Sequence, residues 1–384
     1  MSRSSTFKAL ALTCALGFLS TGNAVAESKS AAITKDPVVF SFAFFGCNRL
    51  NGDGVDATKI PSTANEAQLL QSFQDIADSS RQPDFLFMAG DIVKAKKPGI
   101  KVLAKQLDAW VELATNPKKN PLIKKGVPMV AFTGNHELLV NQDDGDCKYA
   151  QCPNLPAYGY WQKFMKSNQS KYNFIANDNG PRKGGPDGLF VDERRLSYSF
   201  RNKGILFVIL NTDSMIDKNT IGDVPLHWLT KQLQDAQRDR SINHVFVMGH
   251  KPLDTSDNGT DPGNRTIRPD EAGKLYALLN NPAGDGSPSK VRVFLAAHAH
   301  EWNYLPKLTI GNVTGTIPQI IAGNGGSPPN YSWREPDAYF GYTILEITKS
   351  GTVTAKSFGR PVPNPSYEQK AGKTTLQGTY ILKK

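Results

Sequence analysis

The stretch VPMVAFTGNHE, residues 127–137, stays apolar until Thr133 and then breaks at Gly134 into Asn135, His136 and Glu137. A near-continuous apolar run of that length suits a strand covered on both faces, whereas a half-wet strand would alternate. Four further stretches repeat the design: VVFSFAFFGC (38–47), DFLFMAGD (84–91), NHVFVMGH (243–250) and VRVFLAAHAH (291–300). In each, an apolar run stops at Gly or Ala and then delivers a polar side chain. Apolar residues at helical spacing mark segments 64–79, 102–114, 225–240 and 270–279 between them. Strand and helix therefore alternate, which predicts a wound α/β sheet, and ligands gather at the carboxyl ends of strands in such sheets. Residues 195–214, 316–326 and 340–358 read as hairpin or sandwich strands that would supply a second sheet.

Outside this frame the chain opens with Arg3 and Lys8, an apolar stretch over residues 9–19 and the small-residue ending Ala24-Val25-Ala26, the pattern of a signal peptide over residues 1–26. Cys14 is read as part of the discarded peptide. That apolar stretch is too short for a permanent anchor, and no later one reaches the roughly 20 residues a spanning helix needs. A periplasmic or secreted protein without a membrane anchor is expected, with one domain over residues 27–360, insertions at 138–194 and 254–269, and a tail at 361–384 holding one terminal strand. Long irregular insertions of this kind are expected to wall a site. Of the 384 residues, 45 are Lys or Arg against 35 Asp or Glu. The excess is spread out, and short clusters such as Lys96-Lys97 read as solvated surface. No concentrated basic stripe points to duplex nucleic acid; Trp302, Tyr331 and Trp333 leave stacking on a small nucleotide open beside ordinary packing. Five N-x-S/T triplets, at Asn168, Asn258, Asn264, Asn312 and Asn330, matter only in a eukaryotic secretory route. Cys147 and Cys152 fall in one Gly/Asp/Pro-rich loop as a candidate disulfide, which leaves Cys47 either as a buried inert thiol or as a metal ligand.

Hydrolysis of phosphate esters calls for cations about 3.5–4 Å apart, held by a bridging carboxylate, imidazoles and an oxygen donor. Asp91, Asn135, His250, His298 and His300 provide that mixture on separate strand ends. Singly each is weak, since Gly-Asp is usually a turn and a lone His usually packs. Jointly they are specific, because four of the six histidines fall in these motifs while His227 and His244 fall elsewhere.

Gly90-Asp91, Gly134-Asn135-His136-Glu137, Gly249-His250 and Ala297-His298-Ala299-His300, in that order, resemble the calcineurin-like metallophosphoesterase family, which includes purple acid phosphatases. The resemblance covers about residues 38–354. It implies a two-sheet β-sandwich flanked by helices, four layers in αββα order, around a dinuclear site with two divalent or trivalent ions (Fe, Zn, Mn or Ca). It makes Asp91 the bridging ligand, puts Asn135, His250 and His298 on one ion and His300 on the other, and gives His136 the task of orienting substrate or protonating the leaving group. The family opens with D-x-H on the first strand, where this chain has Cys47-Asn48-Arg49. Purple acid phosphatases carry a tyrosine three residues beyond the bridging Asp, where this chain has Lys94. Cys47 and Asn48 are therefore candidate ligands of the second ion, a reading similar to one alkaline phosphatase branch with Cys at this strand end. Arg49 and Lys94 become candidate phosphate contacts, and Asn324, in the Gly-rich turn after the next strand, a third.

The expectation is an exported hydrolase, a metallophosphoesterase acting on a small phosphomonoester or phosphodiester by in-line attack of a metal-bound hydroxide, with His136 assisting the leaving oxygen. The alternative is a metal-poor domain that binds a phosphorylated or polyanionic partner without turnover. A nuclease or cyclic-nucleotide phosphodiesterase would use the same scaffold. Substrate, metal identity and oligomeric state are not legible here.

Overall fold

The computed structural model describes residues 36–50, 55–141, 151–255, 266–329, 338–362 and 371–383. The predicted signal peptide, Cys14, Cys147, Tyr331, Trp333 and the triplets at Asn258, Asn264 and Asn330 lie outside the described residues.

Two six-stranded sheets carry the fold. In the first, β1 (Val38–Phe45), β2 (Phe85–Ala89) and β3 (Met129–Phe132) run parallel. Beyond β1 the sheet continues antiparallel through β14 (Tyr339–Thr348), β15 (Val353–Pro361) and the terminal β16 (Thr375–Lys383). The second sheet runs β10 (Trp302–Leu305), β13 (Gln319–Ala322), β9 (Val291–Ala296), β8 (His244–Gly249), β7 (Ile205–Leu210) and β6 (Tyr198–Asn202), with β13, β9, β8 and β7 parallel. Among the described residues two small hairpins complete the strands: β4 (Leu139–Asn141) with β5 (Gln151–Pro153), and β11 (Leu308–Ile310) with β12 (Val313–Gly315).

Phenylalanines join the sheets. The Phe207 ring on β7 lies 5.4 Å from Phe42 and from Phe87 across the interface, and 4.9 Å from Phe200 beside it. On the outside of the first sheet, α1 (Glu66–Ala77) and α2 (Lys101–Thr115) bury Leu69, Phe73, Leu107 and Trp110, with the short α3 (Pro121–Lys124) beside them. Leu103, Leu107, Trp110 and Ala114 repeat at helical spacing, so α2 presents one apolar stripe. The one-turn α4 (Asn135–Leu138) opens at the tip of β3. Over the second sheet, α6 (Leu226–Arg238) and α7 (Pro269–Asn280) bury Leu229, Leu233, Leu275 and Leu279. Among the described residues no helix is long and apolar enough to cross a membrane.

Two expectations change. The hairpin segments do not form a sheet of their own: β6–β7 extends the sheet of β8 and β9, and β14–β15 extends that of β1. The run ILFVIL of β7 is buried throughout and β14 nearly so, and a strand apolar on both faces belongs inside a layered core. Nor is the segment at 138–194 irregular. It holds the 18-residue α5 (Leu155–Tyr172), ended by a left-handed Asn173 at φ 57°. The five motif strands are thus divided, three in one sheet and two in the other, and their carboxyl ends meet across the sandwich.

Candidate metal centre

Three non-glycine residues at these strand ends hold left-handed backbone: Cys47 (φ 54°), Asp91 (φ 53°) and His298 (φ 62°). Side chains adopt that region at a cost, and it recurs where a fold aims groups at a site. Main-chain bonds stitch the ends together: Cys47 N donates to Gly90 O (3.0 Å), Asn48 N to Asp91 O (3.2 Å) and Ala297 N to His250 O (2.9 Å). Glu137 fixes the Asp91 turn, accepting from the amides of Asp91 (3.0 Å), Ile92 (3.0 Å), Val93 (3.2 Å) and Gly134 (2.7 Å). Burial and the Asp91 charge push the Glu137 carboxyl up to about 7 against these bonds. Gly134 is required by space, since a methyl there would lie 2.3 Å from Asp91 Oδ1. Ala297, where the family pattern has glycine, is tolerated because it faces Gly46.

The donors converge. Asp91 Oδ1 lies 3.2 Å from His250 Nε2, and His250 Nε2 lies 3.1 Å from His298 Nδ1. One amide atom of Asn135 sits 3.2 Å from that Asp91 oxygen, 3.3 Å from His250 Nε2 and 3.1 Å from His298 Nδ1. His250 Nδ1 lies 2.7 Å from Ala89 O; a carbonyl only accepts, so Nδ1 carries the proton and Nε2 presents a lone pair. Burial lowers the His250 pKa, yet Asp91 outweighs burial and raises it. Burial likewise would raise Asp91, but His250, His136 and Arg49 hold its carboxyl well below the usual carboxylate range. With its oxygen turned inward, Asn135 completes a set of two oxygens and two imidazole nitrogens around one centre. That donor set fits a divalent transition metal.

A second group overlaps the first. Cys47 Sγ, Asp91 and His300 each offer a ligand atom within 4.8 Å of the others. His300 Nδ1 lies 2.7 Å from Pro328 O, which leaves Nε2 as its ligand atom. Arg49 already bonds here, with Nε 3.2 Å from Asp91 Oδ2 and Nη2 3.4 Å from His300 Nε2. Burial, then Arg49, pushes His300 down to about 4. The Cys47 thiol is pushed well up by burial and then Asp91, and accepts from His298 N at 3.0 Å. Asn48 turns its NH2 to Gly325 O (2.8 Å), and its buried Oδ1 has no hydrogen-bond partner among the described residues.

The remaining candidates divide. His136 is fixed at the centre by its main-chain N, 3.1 Å from Asp91 Oδ1, and by Nδ1 on the Lys94 carbonyl; burial and Arg49 push its pKa well down. Lys94 N donates to Thr63 Oγ1 (2.7 Å). Asn324 is buried, and its NH2 donates to Tyr339 O at 3.3 Å. Trp302 donates to Thr343 and packs on Tyr380. Cys152 is buried in β5.

Lys96 corrects the reading of Lys96-Lys97 as solvated surface. It is 6% exposed, and its Nζ lies 3.1 Å from the outward amide atom of Asn135, next to Gln151. Burial lowers it to about 7. Ala95 (φ 34°) and Lys96 (φ 63°) turn the chain inward through left-handed backbone, a reversal that no glycine announces. Behind it, Lys251 forms a fully buried ion pair with Asp213 at 2.5 Å.

A family model described as calcineurin-like phosphoesterase matches residues 62–302. Among solved structures, one described as the structure of PhoD is similar in fold, with a TM-score of 0.55 at 13% identity, covering 89% of this chain and 69% of that one. A hypothetical protein from Thermus thermophilus aligns with a TM-score of 0.33 at 11% identity, over 89% of this chain and 99% of that one. No curated protein matches the chain.

Proposed function

The chain belongs to the calcineurin-like phosphoesterase family and is a phosphoric ester hydrolase, and from that premise we propose that it acts outside the cytoplasm on small phosphomonoesters or phosphodiesters, through a metal ion held by Asp91, Asn135, His250 and His298. One observation carries the reading: His250 Nε2 and His298 Nδ1, from one sheet, lie 3.1 Å apart, and the inward Asn135 amide atom, from the end of the other sheet, lies 3.1–3.3 Å from both and from Asp91 Oδ1, itself 3.2 Å from His250 Nε2. Such crowding is unfavourable without a cation or proton among them. A bound ion would neutralise phosphoryl charge and lower the proton affinity of a water at the site.

The protein groups have separate tasks. Glu137 holds the Asp91 turn, and the Ala89 carbonyl holds the His250 ring. Arg49 and Lys96 set positive charge beside the centre, where a phosphate dianion gains most. His136, with its Nδ1 proton on Lys94 O, keeps Nε2 free of a proton in the neutral ring, so it enters as an acceptor for a protonated phosphate oxygen or for water. Protonating the leaving oxygen would require the imidazolium that burial and Arg49 oppose. A second ion, giving the dinuclear site expected from the sequence, would draw on Cys47, Asp91 and His300.

Asp91→Asn removes the shared anionic ligand and is expected to abolish both bound metal and hydrolysis across a panel of phosphomono- and diesters. Full activity in that variant would sink the proposal, and a wild-type protein that takes up no metal under any loading would leave a phosphate-binding domain instead. For export, the mature chain is expected to begin at Glu27 and to fractionate outside the cytoplasm, by N-terminal sequencing.

A further inference from the structure

The two overlapping ligand groups differ in one respect. Around His250 the lone pairs face one another, and the Asn135 amide is the polar group that can turn to answer them. Around His300 a cation already stands: Arg49 Nε is 3.2 Å from Asp91 Oδ2 and Nη2 is 3.4 Å from His300 Nε2, the two atoms a second ion would need. The residue is not loosely placed. It is 6% exposed; its amide donates to Asp91 O (3.2 Å), its carbonyl accepts from Ser327 Oγ (2.8 Å), and it bridges to Ala64. In the first motif, D-x-H in the family pattern, this chain puts a thiol for the carboxylate and a guanidinium for the imidazole. One imidazole ligand is lost and one fixed positive charge gained, at the place where a second ion would sit.

We propose that the Arg49 guanidinium is the permanent second cation of this site, so that the chain holds one metal ion, on Asp91, Asn135, His250 and His298, and clasps substrate phosphate between that ion and Arg49. The inference rests on the metal centre proposed above. Arginine suits the task, because its guanidinium stays charged and carries five N–H donors, with Nε and Nη2 facing Asp91 and His300.

Metal content and inorganic phosphate binding test it together. The wild-type protein, loaded separately with excess Zn²⁺, Mn²⁺, Fe²⁺ and Ca²⁺ and then desalted, is expected to retain one equivalent per chain, and Cys47→Ser to retain the same. Arg49→Ala is expected to keep that equivalent but bind inorganic phosphate at least about tenfold more weakly, with Arg49→Lys in between. Two equivalents in the wild type, one of them lost in Cys47→Ser, would overturn the assignment, as would unchanged phosphate affinity in Arg49→Ala. The wild-type stoichiometry decides the matter even if Arg49 variants fail to fold. Absence of metal from wild type and Asp91→Asn alike is a different failure: it removes the metal centre itself, and this inference with it.

Discussion

Glu137 commits both carboxylate oxygens to four main-chain amides, three of them from the turn that carries Asp91. A glutamine has the same shape but only one accepting oxygen, and its NH2 would face amide donors. Leaving buried donors unsatisfied costs about 1–3 kcal/mol each. Glu137→Gln is therefore expected to lose about 3 kcal/mol of stability in urea denaturation and to weaken metal retention, although Glu137 is not a ligand. Unchanged stability would mean that the turn holds itself. The candidate ligands were legible jointly, because Gly-Asp, Asn-His and His-x-His each follow an apolar run while each alone reads as an ordinary turn or packed histidine. Glu137 was legible only as a letter of a motif, because its work is on main-chain amides that the sequence does not display. Lys96 was misread, since a charged pair in sequence does not reveal a left-handed turn that buries one of its members.

Elements came through where pattern and burial agree. The helices at residues 66–77, 101–115, 226–238 and 269–280 follow their apolar periodicity closely. Residues 155–172 did not, because tyrosine, lysine and serine interrupt a helix that still buries Trp161, Phe164 and Met165. Strand existence was likewise legible, while sheet membership was not: apolar runs say that a strand is covered, not by which neighbour. The β6–β7 hairpin shows what pins such an element. Glu193, buried ahead of β6, accepts through both carboxylate oxygens, each at 3.1 Å, from the NH2 of Asn211, beyond the end of β7. Burial raises its carboxyl to about 8 despite those bonds. A carboxyl whose folded value lies above its unfolded one stabilises fully below about 4.5 and loses that contribution as pH rises through about 8. Thermal melts should therefore show wild-type stability falling relative to the permanently neutral Glu193→Gln across that window. Parallel curves would place the carboxylate in a more polar setting than its burial implies.

At the scale of the molecule, the site exists because two sheets are held in register by phenylalanines. Phe40, Phe42, Phe85 and Phe87 meet Phe207 and Phe246 between the layers. Asp91 and Asn135 arrive on one sheet, His250 and His298 on the other, so the four candidate ligands come together only across the sandwich. The formal net charge of +10 favours approach of anionic substrates at low ionic strength. Crystals soaked in Zn²⁺ and measured at the zinc absorption edge test the central claim. An anomalous peak is expected about 2.0–2.2 Å from ligand atoms of Asp91, Asn135, His250 and His298; zinc bound only elsewhere, with nothing among those four at saturation, would rule the metal centre out.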